Sequence, residues 1–173
     1  MNVDRYDKDY NCESIIIHPK EIKTLNRDYI YYEKIEDKVK PFFDIDIYEI
    51  KYSPMNYQNY YNTLFKLIFV NGDIAISTSH SKERLSFHFV INGYEYELNK
   101  FNDFIQNHPI LSIDDNIDKT IYTKRPEHYK VNFIGYNKIV LRLLYSMKSH
   151  EDRRVKIPYN YNNDIRKHCV TLI

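Results

Sequence analysis

The chain has no tryptophan, only three glycines and six prolines, and two cysteines in 173 residues. Cys12 and Cys169 are far apart and form no C-x-x-C pair, so neither a zinc site nor a disulfide framework is indicated. Two unpaired thiols fit a reducing compartment. There is no Gly/Ser-rich or Pro-rich linker and no internal repeat, which predicts a single domain over 1–173. No apolar run approaches the length of a membrane span, and the N-terminal MNVDRYDKDYN is too polar and acidic for a signal peptide. The expectation is a soluble, intracellular protein with no membrane partner. A dominant charge is also missing: 25 Lys and Arg stand against 24 Asp and Glu, a formal net charge of +1. Any basic surface for nucleic acid must therefore be local.

Tyrosine, by contrast, is abundant, at 18 residues. Together with the many Ile, Asn and Lys residues it points to an A+T-rich genome of origin, because those residues have A+T-rich codons. Along the chain, ESIIIHPKEI predicts a short strand ending at Pro19, and PFFDIDIYEIKY a stronger one closed by Ser53-Pro54. In MNYQNYYNTLFKLIFV, apolar residues at Tyr57, Tyr61, Leu64, Phe65 and Ile68 lie along one helical face, and Asn71-Gly72-Asp73 ends the helix. DIAISTS and RLSFHFVI predict two strands, Asn92-Gly93 a turn, and YELNKFNDFIQNHP a second amphipathic helix stopped by Pro109. This order predicts an α/β (α+β) fold of two layers, with flanking helices on a mixed, largely antiparallel sheet.

Chemistry concentrates in three places. In FFDIDIY, strand alternation puts Asp44 and Asp46 on one face and Phe43, Ile45 and Ile47 on the other. Two adjacent carboxylates repel unless a partner or a hard divalent cation compensates them; the plainer reading is a strand with one wet face. In ERLSFHFVI, Arg84, Ser86 and His88 alternate with Leu85, Phe87 and Phe89, giving a row of donors suited to an anion such as phosphate. Here the plainer reading is a solvent-facing strand. NIDKTIYTKR adds a third acid, Asp118, followed by Lys124 and Arg125, with Asp114 and Asp115 nearby as helix caps or turn formers; LRLLYSMK adds Arg142 and Lys148. Three carboxylates for two metal ions, faced by donors for a triphosphate, are what nucleotidyl transfer requires.

The order D-x-D, S-x-H, then an acid followed by Ile-Tyr and a later R-L…K resembles the archaeo-eukaryotic primase superfamily. Within it, the resemblance is closest to primase-polymerases and the primase domains of poxvirus-type primase-helicases. FFDIDIY resembles the first motif, STSHSKERLSFHFVI the second, and IDKTIYTKR with LRLLYSMK the third motif and the segment after it, together spanning roughly residues 40–150. The resemblance implies that family's catalytic core, with its RRM-like half. It also implies Asp44, Asp46 and Asp118 as catalytic ligands of Mg²⁺ or Mn²⁺ in a two-metal site. Arg84, Ser86, His88, Arg142 and Lys148 would bind the nucleotide, and Lys124 and Arg125 the template. The connection PEHYKVNFIGYNKIV is longer than the family's usual one, and the sequence contains neither a helicase part nor a Cys/His zinc module. The implied partners are single-stranded DNA, nucleoside triphosphates and a replicative helicase. If the protein is viral, its place of action would be a replication site in the host cytoplasm.

Two other readings stay open. One is a metal-dependent nuclease, since two-metal sites serve phosphodiester chemistry in both directions. The other is a non-catalytic module that binds single-stranded nucleic acid within a replication complex. Lys124, Arg125, Lys130 and Lys138, and separately Arg153, Arg154 and Lys156, form candidate basic patches for template phosphates, the second set being also a plausible solvated surface.

Overall fold

The computed structural model describes residues 1–124 and 138–173. Among these residues, ten strands and two α-helices occur in the order β1 (Asn2–Tyr6), β2 (Cys12–Ile16), β3 (Ile30–Lys34), β4 (Lys38–Val39), β5 (Phe42–Ile47), α1 (Pro54–Ile68), β6 (Asp73–Thr78), β7 (Leu85–Asn92), β8 (Tyr96–Glu97), α2 (Leu98–Asn107), β9 (Val140–Arg142) and β10 (Ile157–Pro158). The fold is α+β, as the alternating patterns predict. It differs from the expectation in how the strands are shared out. They form two four-stranded sheets, β2-β1-β3-β9 and β10-β6-β7-β5, and a small pair β4-β8. Every strand pairing among the described residues is antiparallel.

The second sheet is built as a strand–helix–strand–strand–helix unit. β5 and β6 both run antiparallel to β7, which lies between them, so α1 links two strands that point the same way. After α2 the chain returns to the free edge of β5, where Ile117 bridges Ile45, Asn116 O accepts from Asp46 N, and Asp118 N donates to Asp44 O, both at 2.9 Å. This is the split β-α-β arrangement, with residues 116–118 in the place of its fourth strand.

Local chemistry sets the boundaries. Ser53 caps α1 by accepting from Asn56 N, and Pro54 occupies the first turn, where its missing N–H costs nothing. The helix ends at Ile68; Asn71 then adopts φ 63°, and Gly72 packs so closely that a Cβ would lie 2.6 Å from Ile91 Cγ2 and 2.9 Å from Phe69 O. β5 stops at Ile47 and does not continue to Tyr52, because its partner β7 begins at Leu85, paired with Ile47.

One face of the β5-β6-β7 sheet is covered by both helices. Phe43 stacks on Phe65 at 4.1 Å and meets Phe101 edge-on at 5.8 Å, while Phe65 and Phe89 form another edge contact at 5.1 Å. The segment that leaves β9 in the first sheet and enters β10 in the second is tied within itself by Tyr145 N to Lys156 O and Lys156 N to Ser146 O, and reaches the second sheet through Arg154 Nη1, which donates to Ser79 O. Among the described residues no helix is long and apolar enough to cross a membrane.

Candidate metal centre

Register brings the sequence motifs together. Asp44 on β5 sits opposite His88 on β7, which sits opposite Ser77 on β6; one step along, Asp46 faces Ser86, and Ser86 O accepts from Ser79 N. The result is two parallel rows of polar side chains across three strands. Asp118 joins from the β5 edge, and one ligand oxygen from each of Asp44, Asp46 and Asp118 lies within 4.8 Å of the others. These three acids could hold a metal ion, and the all-oxygen donor set suits a hard divalent cation. Asp118 is also partly committed locally: its Oδ1 caps the turn at Lys119–Tyr122, accepting from the backbone N and hydroxyl of Thr120.

The row is not a wet strand face. Ser77, Ser79, Ser86 and His88 are all buried, and the Asp44 and Asp46 side chains are only 17% and 20% exposed. Buried polar atoms normally find partners. Here Asp44 Oδ1, Asp46 Oδ1, Ser79 Oγ and His88 Nδ1 have no hydrogen bond. His88 Nε2 comes within 2.9 Å of Asp44 Oδ1, a contact that becomes an ion pair only when the ring is protonated.

The acids titrate differently. Burial first, and then the neighbouring Asp44, push Asp46 up to about 6, against the partial offset of Arg84, whose Nε is 3.5 Å away. Burial also pushes Asp44 up, but His88, Lys156 and Arg142 outweigh it and the net direction is down. Burial holds His88 down to about 4 despite the pull of Asp44, so its ring is neutral at neutral pH.

Cations ring the acids. Arg84 lies over the Tyr48 ring at 5.8 Å and bonds its hydroxyl. Arg142 is buried on β9, its Nη1 donating to Arg154 O at 3.2 Å. Lys148 is held below its ordinary value by burial and then by Arg84 and Arg154. Of the residues predicted from sequence, then, Asp44, Asp46, Asp118, Arg84, Ser86, His88, Arg142 and Lys148 converge. Lys124 is exposed beyond the Lys119–Tyr122 turn, and Arg125 and Lys130 lie outside the described residues. Lys138 is engaged elsewhere, 2.7 Å from Asp4.

The site also contains groups that the motifs did not single out. Ser77 and Ser79 extend the two rows, and their signal was the alternation in ISTS. Arg154 is fixed by Asp152 and donates to Ser79 O. Lys156 corrects the surface reading of 153–156: it is 2% exposed, donates to Arg142 O at 2.7 Å, and is lowered to about 7 by burial and then by Arg142. No protein-family model matches this chain, and no curated protein matches it.

Proposed function

We propose that the protein is a template-dependent DNA primase or primase-polymerase. It would make short primers from nucleoside triphosphates on single-stranded DNA by nucleotidyl transfer with Mg²⁺ or Mn²⁺. The observation that carries this reading is the convergence of three carboxylates beside a buried row of phosphate donors on one sheet face. A nuclease needs the acids but not the row.

Asp44, Asp46 and Asp118 would hold the cations. Bound there, divalent metal would lower the pKa of a 3′-hydroxyl and neutralise charge on the phosphate oxygens. The chain's own groups do the rest. Ser86 and Ser79 offer hydroxyl donors, and neutral His88 offers one ring N–H to a phosphate oxygen. Arg84, Lys148 and Arg154 supply positive charge on the open side of the acids. Behind them, Arg142 and Lys156 favour the ionised form of Asp44.

The test is incubation with mixed single-stranded DNA, Mn²⁺ or Mg²⁺ and labelled nucleoside triphosphates, beside an Asp44→Ala, Asp46→Ala double variant. Short products from the wild type alone support the proposal. Metal-dependent degradation of DNA without triphosphates would identify a nuclease instead. DNA binding indifferent to metal, triphosphate and both aspartates, with no product, would identify a binding module.

A further inference from the structure

A cavity of about 510 Å³ lies between the start of α1 and the segment that leads into Asp118, with Asp114 and Asn116 on its wall. Its volume is in the range of small-ligand sites. Tyr61 forms part of its wall and is rigidly held: its hydroxyl donates to Asp114 Oδ2 at 2.9 Å and accepts from Asn116 Nδ2 at 3.2 Å. Tyr60 packs edge-on against Tyr61 with centroids 5.0 Å apart, yet stays 54% exposed. Tyr52, also on the lining, is 63% exposed. Exposed aromatic rings gathered around one cavity mark a surface that binds something flat and apolar.

The polar groups narrow the ligand. Asn56 and Asn116 bring amide groups, able to donate and accept, to the wall, and Asp114 brings a carboxylate. Among the described residues no lysine or arginine lines the cavity, so they offer a triphosphate no counter-charge, and Asp114 would repel one. A neutral, planar heterocycle with donor and acceptor edges fits; a phosphate does not. Location supplies the source. Asn116 on the cavity wall is two residues from Asp118, about 7 Å along an extended chain, and its carbonyl is bonded to Asp46 N. A strand reaching this wall from the metal centre would round the β5 edge at residues 116–118.

We propose that this cavity stacks a base of the single-stranded template next to the metal centre, an inference that rests on the nucleotidyl-transfer reading above. Stacking explains why tyrosines are left exposed, and the cation-free wall separates the base from the phosphate path along Arg84, Lys148 and Arg154.

The experiment is fluorescence anisotropy of a labelled mixed-sequence single strand, in EDTA and without nucleotides. It is repeated with a strand of equal length and charge whose bases are replaced by abasic sites. Wild type should bind the base-bearing strand about tenfold more tightly than the abasic one, since stacking a base on an aromatic ring is worth about that factor or more. Tyr60→Ala and Tyr52→Ala, both at exposed positions, should each remove most of that preference, and Tyr60→Phe should keep it. Equal binding of both strands by the wild type, or an unchanged preference in both alanine variants, overturns the proposal. So does a result in which Tyr60→Ala weakens ATP binding but not DNA binding, which would assign the cavity to the incoming nucleotide. The Asp44→Ala, Asp46→Ala variant separates the two readings. It should keep the base preference while losing synthesis, whereas a base preference in a wild type that makes no primers would sink the primase reading and leave the cavity standing.

Discussion

The two faces of the β5-β6-β7 sheet both carry buried side chains and differ in almost everything else. Toward the helices, Phe43, Phe65 and Phe89 pack ring against ring, and each group has what it needs. On the opposite face, Asp44, Asp46, Ser79 and His88 each carry a buried polar atom without a hydrogen bond. The first face is a core that stabilises the chain. The second is a cost that the first offsets, and unsatisfied buried polar groups persist where a ligand completes them.

The largest break in this comparison is Phe89→Ala. Removing a fully buried ring that meets Phe65, Tyr61 and Phe87 should cost about 3–5 kcal/mol of unfolding free energy. Ser79→Ala on the other face, which deletes a buried hydroxyl without a partner, should be neutral or stabilising. Urea unfolding in EDTA measures both. A Ser79→Ala loss as large as that of Phe89→Ala would mean the polar face is ordinary core.

The same contrast explains which parts of the molecule were legible in the sequence. β5, β7, α1 and α2 can be read from local alternation, helical spacing and the Ser53-Pro54 and Asn71-Gly72 signals, and they place both acids and the Arg84-Ser86-His88 row correctly. β1 and β3 escaped notice because each carries an acid in an apolar setting, and the partners that make those acids tolerable are remote in sequence. Asp4 is met by Ser14 and Lys138, and Glu33 accepts from Val170 N and Thr171. Lys156 escaped for the same reason: nothing within VKIP tells that its ammonium ends on Arg142 O. Local periodicity identifies a strand, but it cannot name the strand's neighbours, so the division into two sheets was not readable.

Ligand addition should sharpen the comparison next. If the acids form a cation site, Mg²⁺ or Mn²⁺ at a hundredfold excess over its dissociation constant should raise unfolding stability by about 2.7 kcal/mol. An Asp44→Asn, Asp46→Asn variant should show no such gain. A thermal melt with and without metal checks it, and equal shifts in wild type and variant would place the metal elsewhere.

On the helix-covered side, Gly72→Ala should destabilise by about 1–3 kcal/mol, because the added methyl meets Ile91 and the backbone oxygen of Phe69, and backbone cannot yield cheaply. Full stability in that variant would show that the packed face has more slack than its contacts imply.

The smallest and most diagnostic effect is the pH dependence of Asp46. Its carboxyl titrates at about 6 in the folded chain against an ordinary 3.8, so between those values the native state binds more protons than the unfolded one. Stability contributed by this group is therefore fully present below about 3.8 and is lost as pH rises through about 6. His88 works the other way: held down to about 4, it favours the folded state more as pH rises toward 6.5. The two trends overlap, and a profile of the wild type alone would blur them. Comparing wild type with Asp46→Asn removes the His88 contribution, which both share. In EDTA the difference between the two proteins should grow in favour of Asp46→Asn between pH 5 and pH 7, by about 1 kcal/mol once solvent screening of this partly exposed carboxyl is allowed for. Saturating Mg²⁺ should reverse the order at pH 7, because only the wild type then gains from holding two charged carboxylates together. A difference flat with pH would mean that Asp46 ionises like a surface carboxylate, and the strain on the polar face would then have to reside in Asp44 and His88 alone.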